Sequence, residues 1–173
     1  MAIVLLRGGG DLATGVALRL HRAGVAVLIT ELPKPLAVRR AVSFCEAVYE
    51  GEWAVEGVRA CRAGTVGDAV RALARRVIPV LVEPDLLHHP SLDVAAVVDA
   101  RLTKVPPDPL ADDSPLVIGL GPGFTAGHDC HAVVETQRGG TFGRVYWSGS
   151  ALANTAAPEG DPRRVLRAPT GGA

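Results

Sequence analysis

Three consecutive glycines separate an apolar run at residues 2–6 from a stretch of helical spacing, and no other feature of the sequence restricts the fold as much. A short uninterrupted apolar run reads as a central strand covered on both faces. From Leu12 the apolar positions Leu12, Val16, Leu20 and Ala23, with Ala13 and Ala17 beside them, recur at helical spacing until Gly24 supplies a stop. A second apolar run at 25–30 follows at once, so the order is strand, turn, helix, strand: a parallel βαβ unit, expected to be right-handed. Gly8-Gly9-Gly10-Asp11-Leu12-Ala13 then fits the Gly-x-Gly-x-x-Gly/Ala turn of dinucleotide-binding folds. Gly8 would allow the tight turn, Gly10 would let the backbone approach a pyrophosphate, and Ala13 would let the helix pack closely on the strand. The helix start offers unpaired N–H groups and positive dipole character to an anion. Glu31, roughly 20 positions on, closes the second strand where an acidic residue can hold ribose hydroxyls and disfavour a 2′-phosphate. Asp11 would repel a phosphate unless it points away or caps the helix. The competing reading is a sharp strand-to-helix turn that binds nothing.

The alternation continues. A helix is expected at 35–48, a short hairpin at 53–61 that decorates the sheet rather than extending it, a helix at 68–76, and strands at 77–82 and 94–98. Four prolines and three aspartates at 106–115 read as a connection, followed by strands at 116–120, 131–136 and 144–147, the last two joined by a turn at Gly139, Gly140 and Gly143. The expected fold is therefore α/β, a Rossmann-like, doubly wound and mainly parallel sheet. Its nucleotide-binding core is residues 1–105, a glycine-rich β-containing part at 116–153 completes the same sheet, and an irregular tail fills 154–173. Eighteen basic residues cancel eighteen acidic ones, so no net field favours nucleic acid or an anionic membrane. Three widely spaced cysteines, Cys45, Cys61 and Cys130, argue against a disulfide framework and for a reducing compartment. With no basic leader and no apolar run near the ~20 residues that span a bilayer, the expected location is cytoplasmic.

A second glycine segment, Gly119-Leu120-Gly121-Pro122-Gly123-Phe124-Thr125, also follows an apolar strand. In an open parallel sheet both glycine segments would lie at strand ends and could face one cleft, this one offering an amide nest and the Thr125 hydroxyl. A surface turn that needs glycine dihedrals explains it equally well. His128-Asp129-Cys130-His131 is the one local cluster of metal-ligand or acid/base types, at a spacing that fits no structural zinc pattern. Cys130 would need a lowered pKa to carry sulfur or selenium, and an inert thiol is the default. His88-His89 is assigned no role. Arg101 and Lys104, past a strand end, are within reach of an anionic ligand or are solvated loop charges.

The stretches GGGDLATGVALRLHRAGVAVLITE, PLAVRRAVSFCEAVYEG, VDARLTK, GLGPGFTAG and HAVVETQRGG with GRV, in that order, resemble the YqeB-type accessory proteins of selenium-dependent molybdenum hydroxylases, a family related to XdhC-like proteins. The resemblance implies a Rossmann domain and a role in maturing or inserting the molybdenum cofactor. The matching motif positions are Gly8, Gly9, Gly10, Asp11, Thr14, Gly15, Glu31, Arg39, Arg40, Gly121, Gly123, Phe124 and Thr125, and no catalytic residue comes with them. Where the family pattern often has His after Arg-Gly, this chain has Gly140, and family members usually continue further. The implied partners are a molybdenum hydroxylase apo-enzyme and a nucleotide-type small molecule, such as molybdopterin dinucleotide or NAD. An uncovered edge strand would permit a homodimer. Two rivals stand beside this reading: an NAD-dependent oxidoreductase, for which no Tyr-Lys or His-Asp set is evident, and an adaptor that docks on a hydroxylase without binding a small molecule. Whether the chain is an enzyme stays open at this level.

Overall fold

A computed structural model describes residues 2–103 and 116–153; the expected connection at 106–115, the tail at 154–173 and Lys104 lie outside the described residues. In chain order the elements are β1 (Ile3–Arg7), α1 (Asp11–Arg22), β2 (Ala26–Thr30), two 3-10 turns (Arg40–Val42 and Phe44–Glu46) running into a short α2 (Ala47–Glu50), β3 (Glu52–Val55), β4 (Val58–Ala63), α3 (Val66–Ala74), β5 (Ile78–Leu81), β6 (Val94–Asp99), β7 (Val117–Leu120), β8 (Thr125–Ala126), β9 (Ala132–Val134), β10 (Val145–Tyr146) and β11 (Gly149–Ser150). Nine strands form one sheet in the order β10-β9-β7-β6-β1-β2-β5-β4-β3, and β8 pairs with β11 separately. Only the outermost pairs, β3 with β4 and β9 with β10, are antiparallel in the large sheet. No helix among the described residues is long and apolar enough to cross a membrane.

β1 lies at the centre because its side chains serve both layers. Leu6 joins Ala13, Ala17 and Leu18 of α1, Val27, Ile29 and Phe44 on one face, while Leu5 joins Leu28, Ala69 and Leu73 of α3, Val97, Val133 and Phe124 on the other. Leu5 and Leu6 are wholly buried, so each contributes about 1.5–3 kcal/mol of burial to a different layer. With α1 on one face and α3 on the opposite one, the fold is a Rossmann-like α/β sheet. Gly24 ends α1 as expected: its φ of +85° is a left-handed stop that only glycine adopts without strain.

Two local expectations are corrected. The hairpin at 53–61 extends the sheet: β4 pairs in parallel with β5 over Ala60–Ala63, and β3 forms the edge. Its two-residue turn, Glu56 and Gly57, has positive φ at both positions, the geometry that suits tightly twisted hairpins. Pro79 is tolerated inside the sheet because its register partner is Cys61 on β4, while β2 begins to pair with β5 only at Val80. The single helix expected at 35–48 is instead an irregular segment, two 3-10 turns and the four-residue α2. Tertiary bonds take the backbone donors a helix would use: Phe44 N donates to Thr14 Oγ1 (2.9 Å) and Cys45 N to the Gly9 carbonyl (2.9 Å). The Ser43 hydroxyl donates to the Arg39 carbonyl at 2.7 Å, a local bond that competes with regular helix.

Candidate functional site

From β1 the chain moves out to β2 and β5 on one side and then returns to β6 on the other, so the carboxyl ends of β1 and β6 form a topological switch point. A cleft of about 560 Å³ opens there, walled by the start of α1, by Glu31 and Leu32 after β2, by Pro84 and Asp85 after β5, and by residues 100–103 after β6. A second and larger hollow, about 700 Å³, lies beside Thr65–Gly67, His89 and Ser91. Chemistry favours the smaller one: at the second hollow the start of α3 is already capped, Thr65 Oγ1 accepting from Asp68 N (3.1 Å).

The three glycines of the first turn do three different things. Gly8 has a φ of +91° and lies flat on the β6 exit, where a Cβ would sit 3.4 Å from Ala100 O and Arg101 N. Gly9 carries no conformational demand but is packed from behind, its would-be Cβ 3.1 Å from Cys45 N and 3.2 Å from Ile29 Cγ2. Gly10 faces open space, with nothing within 4 Å of a Cβ. Gly10 is also the residue before α1, and no side chain caps that helix start. The first helical bond runs from Thr14 N to Gly10 O (2.8 Å), so the N–H groups ahead of it have no carbonyl within the helix to meet.

The other expected residues of this turn separate into roles. Ala13 is buried against the sheet. Thr14 is buried too, and its hydroxyl donates to Gly9 O (3.3 Å) while accepting from Phe44 N, which clamps the 43–46 segment onto the turn. Gly15 meets nothing within 4 Å and does not line the cleft. Asp11 does not cap α1; it is the first helical residue, and its carboxylate pairs with Arg39 at 3.0 Å. Arg40 pairs with Glu46 instead, its Nε donating to Oε2 at 2.6 Å, and that bond holds the Glu46 carboxyl below its ordinary range. Glu31 lines the cleft and turns its carboxylate toward the backbone, Oε1 accepting from Gly9 N (2.8 Å) and Oε2 from Leu32 N (2.6 Å). Each oxygen keeps a second lone pair.

Gly119 to Thr125 is placed differently. Gly121, Pro122, Gly123, Phe124 and Thr125 are absent from the cleft wall; the nearest link is Leu102, whose Cδ2 would be 3.2 Å from a Cβ on Gly121. The expected amide nest is largely spent. Gly121 N donates to Val134 O (2.8 Å), Thr125 N donates to Asp129 Oδ2 (2.7 Å), and the Thr125 and Ser150 hydroxyls meet at 2.9 Å. Phe124 turns into the α3-side core, over Gly119.

The histidine and cysteine cluster is likewise structural. Val117 N donates to His131 Nδ1 (3.0 Å), His128 Nδ1 meets the Asp129 carboxylate (2.6 Å), and the Cys130 thiol donates to Ala132 O. Burial pushes the Cys130 thiol up, the direction opposite to an activated nucleophile. Among the described residues no three His, Cys, Asp or Glu side chains converge as metal ligands.

Two features escape a reading of the sequence. Arg7 and Asp99 are register partners at the ends of β1 and β6, joined at 3.2 Å, and Asp99 also holds Arg101: Nε donates to Oδ1 and Oδ2 at 3.0 Å and Nη2 to Oδ2 at 2.6 Å. The signal was present as opposite charges closing two apolar runs, but only strand order makes them neighbours. Glu135, fully buried, accepts from Gln137 N and Leu152 N (both 2.8 Å) and ties the start of the β9–β10 turn to the segment after β11; nothing in its sequence surroundings marks it.

No family model and no solved structure matches the chain. It is similar to "Uncharacterized protein YqeB" of Escherichia coli (strain K12), with 47% identity over 98% of this chain and 32% of that protein. The chain thus spans about a third of the relative's length, and over that third it is similar to YqeB from end to end.

Proposed function

We propose that the cleft at the β1–β6 switch point binds a nucleotide, in the first place a diphosphate-bearing dinucleotide, and that the chain serves in maturing or inserting the molybdenum cofactor of a selenium-dependent molybdenum hydroxylase. The observation that carries the binding half is the uncapped start of α1 beneath Gly10, where the backbone has open space in front of it. Unsatisfied N–H groups and the helix dipole suit a phosphate there, and pairing with Arg39 removes the objection that Asp11 would repel it. A cleft of about 560 Å³ is within the usual range for small-molecule sites. Molybdopterin dinucleotide fits this arrangement through its diphosphate, which Gly10 and the first turn of α1 would hold, while the lone pairs remaining on Glu31 suit a ribose hydroxyl. When bound, the group would supply the redox chemistry of the hydroxylase; this chain's own residues would bind, orient and release it.

The maturation half draws support from the YqeB-type resemblance and from the mouth of the cleft, where Leu36 is 85% and the nearby Val38 96% exposed. Apolar side chains at the lip of a site suit a client protein that covers them during handover. Titration of the purified chain with NAD, NADP, ATP, CTP and molybdopterin dinucleotide tests the proposal, followed by Gly10→Val and Glu31→Ala. The expected result is selective binding of the pterin dinucleotide that Gly10→Val abolishes. NAD binding with turnover of a carbonyl substrate would favour an oxidoreductase instead. Failure of every ligand, with hydroxylase capture intact in Gly10→Val, would leave an adaptor.

A further inference from the structure

We infer that Arg101 is the anion-binding side chain of this cleft, gripping one phosphate of a diphosphate whose other phosphate rests on the first turn of α1. The inference rests on the reading of the cleft as a nucleotide site and adds the ligand's required chemistry: two adjacent anionic groups. Four observations converge. Arg101 lines the same cleft as Gly8 and Gly10, and its backbone is packed on Gly8. Its guanidinium is not a loose surface charge but is fixed by three bonds to Asp99, a carboxylate that is 1% exposed. Asp99 in turn is held by Arg7 and by the Arg101 backbone N–H (3.1 Å), so the whole assembly is anchored at the paired ends of β1 and β6. The Arg101 side chain is nevertheless about a third exposed, and Nη1 takes part in none of these bonds.

A guanidinium has five donors in a planar fork, and the Asp99 carboxylate engages one edge of it, leaving donors for a second anion. The single charge of Asp99 is also shared between two guanidinium groups. Three carboxylates line the cleft: Asp11, at the start of α1, is paired with Arg39 at 3.0 Å, while Glu31 and Asp85 are on the walls after β2 and β5, Glu31 being committed to backbone N–H groups. With Asp11 answered by Arg39, the cleft offers backbone and guanidinium donors along the α1 and β6 walls and carboxylate acceptors along the β2 and β5 walls. A diphosphate joined to a ribose matches that order. A neutral nucleoside matches only half of it.

The experiment is calorimetric titration of the 173-residue chain with sodium pyrophosphate, ADP and adenosine, in wild type, Arg101→Gln, Arg101→Lys and Gly10→Val, with thermal melts to confirm folding. Wild type is expected to bind pyrophosphate and ADP, with Arg101→Gln weakening both at least tenfold and leaving any adenosine binding within twofold. Arg101→Lys, which keeps the charge but not the fork, should lie between. If Arg101→Gln melts early, the lysine variant carries the test, and binding within twofold of wild type in it overturns the inference. ADP binding lost in Gly10→Val but unchanged in Arg101→Gln sinks the role of Arg101 and leaves the nucleotide cleft standing. Pyrophosphate binding that depends on Arg101, with no nucleotide binding more tightly than pyrophosphate, supports the arginine and removes the nucleotide reading. No binding of either anion by wild type overturns both.

Discussion

The two glycine segments follow β1 and β7 in the same way in sequence, yet one is hollow in front and the other is filled by the protein itself. At the first, Gly10 faces open space, Gly9 is backed by Cys45, and the following helix begins uncapped. At the second, a Cβ on Gly119 would lie 2.3 Å from Phe124 Cγ and one on Gly121 2.5 Å from Thr136 Oγ1. What separates them is the chain that follows. After Gly10 a regular helix carries the backbone away over one face of the sheet, while after Gly123 no helix forms and Phe124 dives into the layer on the opposite face. A glycine can thus be required by a ligand that must come close, or by a neighbouring side chain that already has.

The largest effects should come from the filled segment. Phe124→Ala empties a site in which the ring is 2% exposed and should cost about 3–5 kcal/mol of unfolding free energy. Gly119→Ala drives a methyl into the same ring and should cost about 3 kcal/mol, the upper end of ordinary overpacking. Because the methyl and the ring compete for one space, the double variant should lose at least ~1 kcal/mol less than the sum of the two. Urea denaturation of the four proteins reads this directly. Additive losses would mean that the ring and Gly119 do not press on each other, and the contrast between the segments would dissolve.

The hollow segment should behave in the opposite sense. Gly9→Ala meets Cys45 and Ile29 at 3.1–3.2 Å and should cost about 1–2 kcal/mol. Gly10→Ala meets nothing, and its φ of −66° suits any residue, so its cost is confined to replacing a tolerable N-cap by a poor one, under ~1 kcal/mol. Ligand binding reverses the ranking: Gly10→Ala should weaken nucleotide binding at least tenfold while its melting temperature stays near that of wild type. A stable Gly10→Ala protein that binds as wild type does would show that no ligand approaches this backbone.

Much of this was legible in the chain itself, and the parts that were not share a cause. The βαβ opening, the Gly24 stop and the strand order's parallel character follow from local periodicity, which depends on residues a few positions apart. The segment at 35–48 misleads because its helical composition is overruled by bonds to Gly9 and Thr14, some thirty positions earlier. Arg101 is visible in sequence only as one charge past a strand. Its bond to Asp99 gives it a fixed direction, and the return of the chain to β6 beside β1 brings it to the cleft on which α1 opens. Likewise the two glycine segments cannot be told apart until the fold shows which one Phe124 fills.

The smallest expected effect probes what stands behind each segment, a buried cysteine in both cases. Burial, and after it the nearby carboxylates of Glu31 and Glu46, push the Cys45 thiol from an ordinary 9.0 to about 12; burial also raises Cys130, against which a Gly119 backbone hydrogen bond acts. The folded state holds both as neutral thiols, whereas the unfolded chain ionises them near pH 9. Stability contributed by Cys45 is therefore whole below about pH 9 and is lost as pH rises toward 12. Other groups titrate in that window, so the readout is a difference: between pH 8 and pH 10.5, Cys45→Ala should lose less stability than wild type, and Cys130→Ala should show a smaller difference of the same sign. Matching slopes in Cys45→Ala and wild type would mean that water reaches the back of Gly9. The hollow in front of Gly10 would then belong to a loosely packed corner rather than to a cleft with a rigid floor.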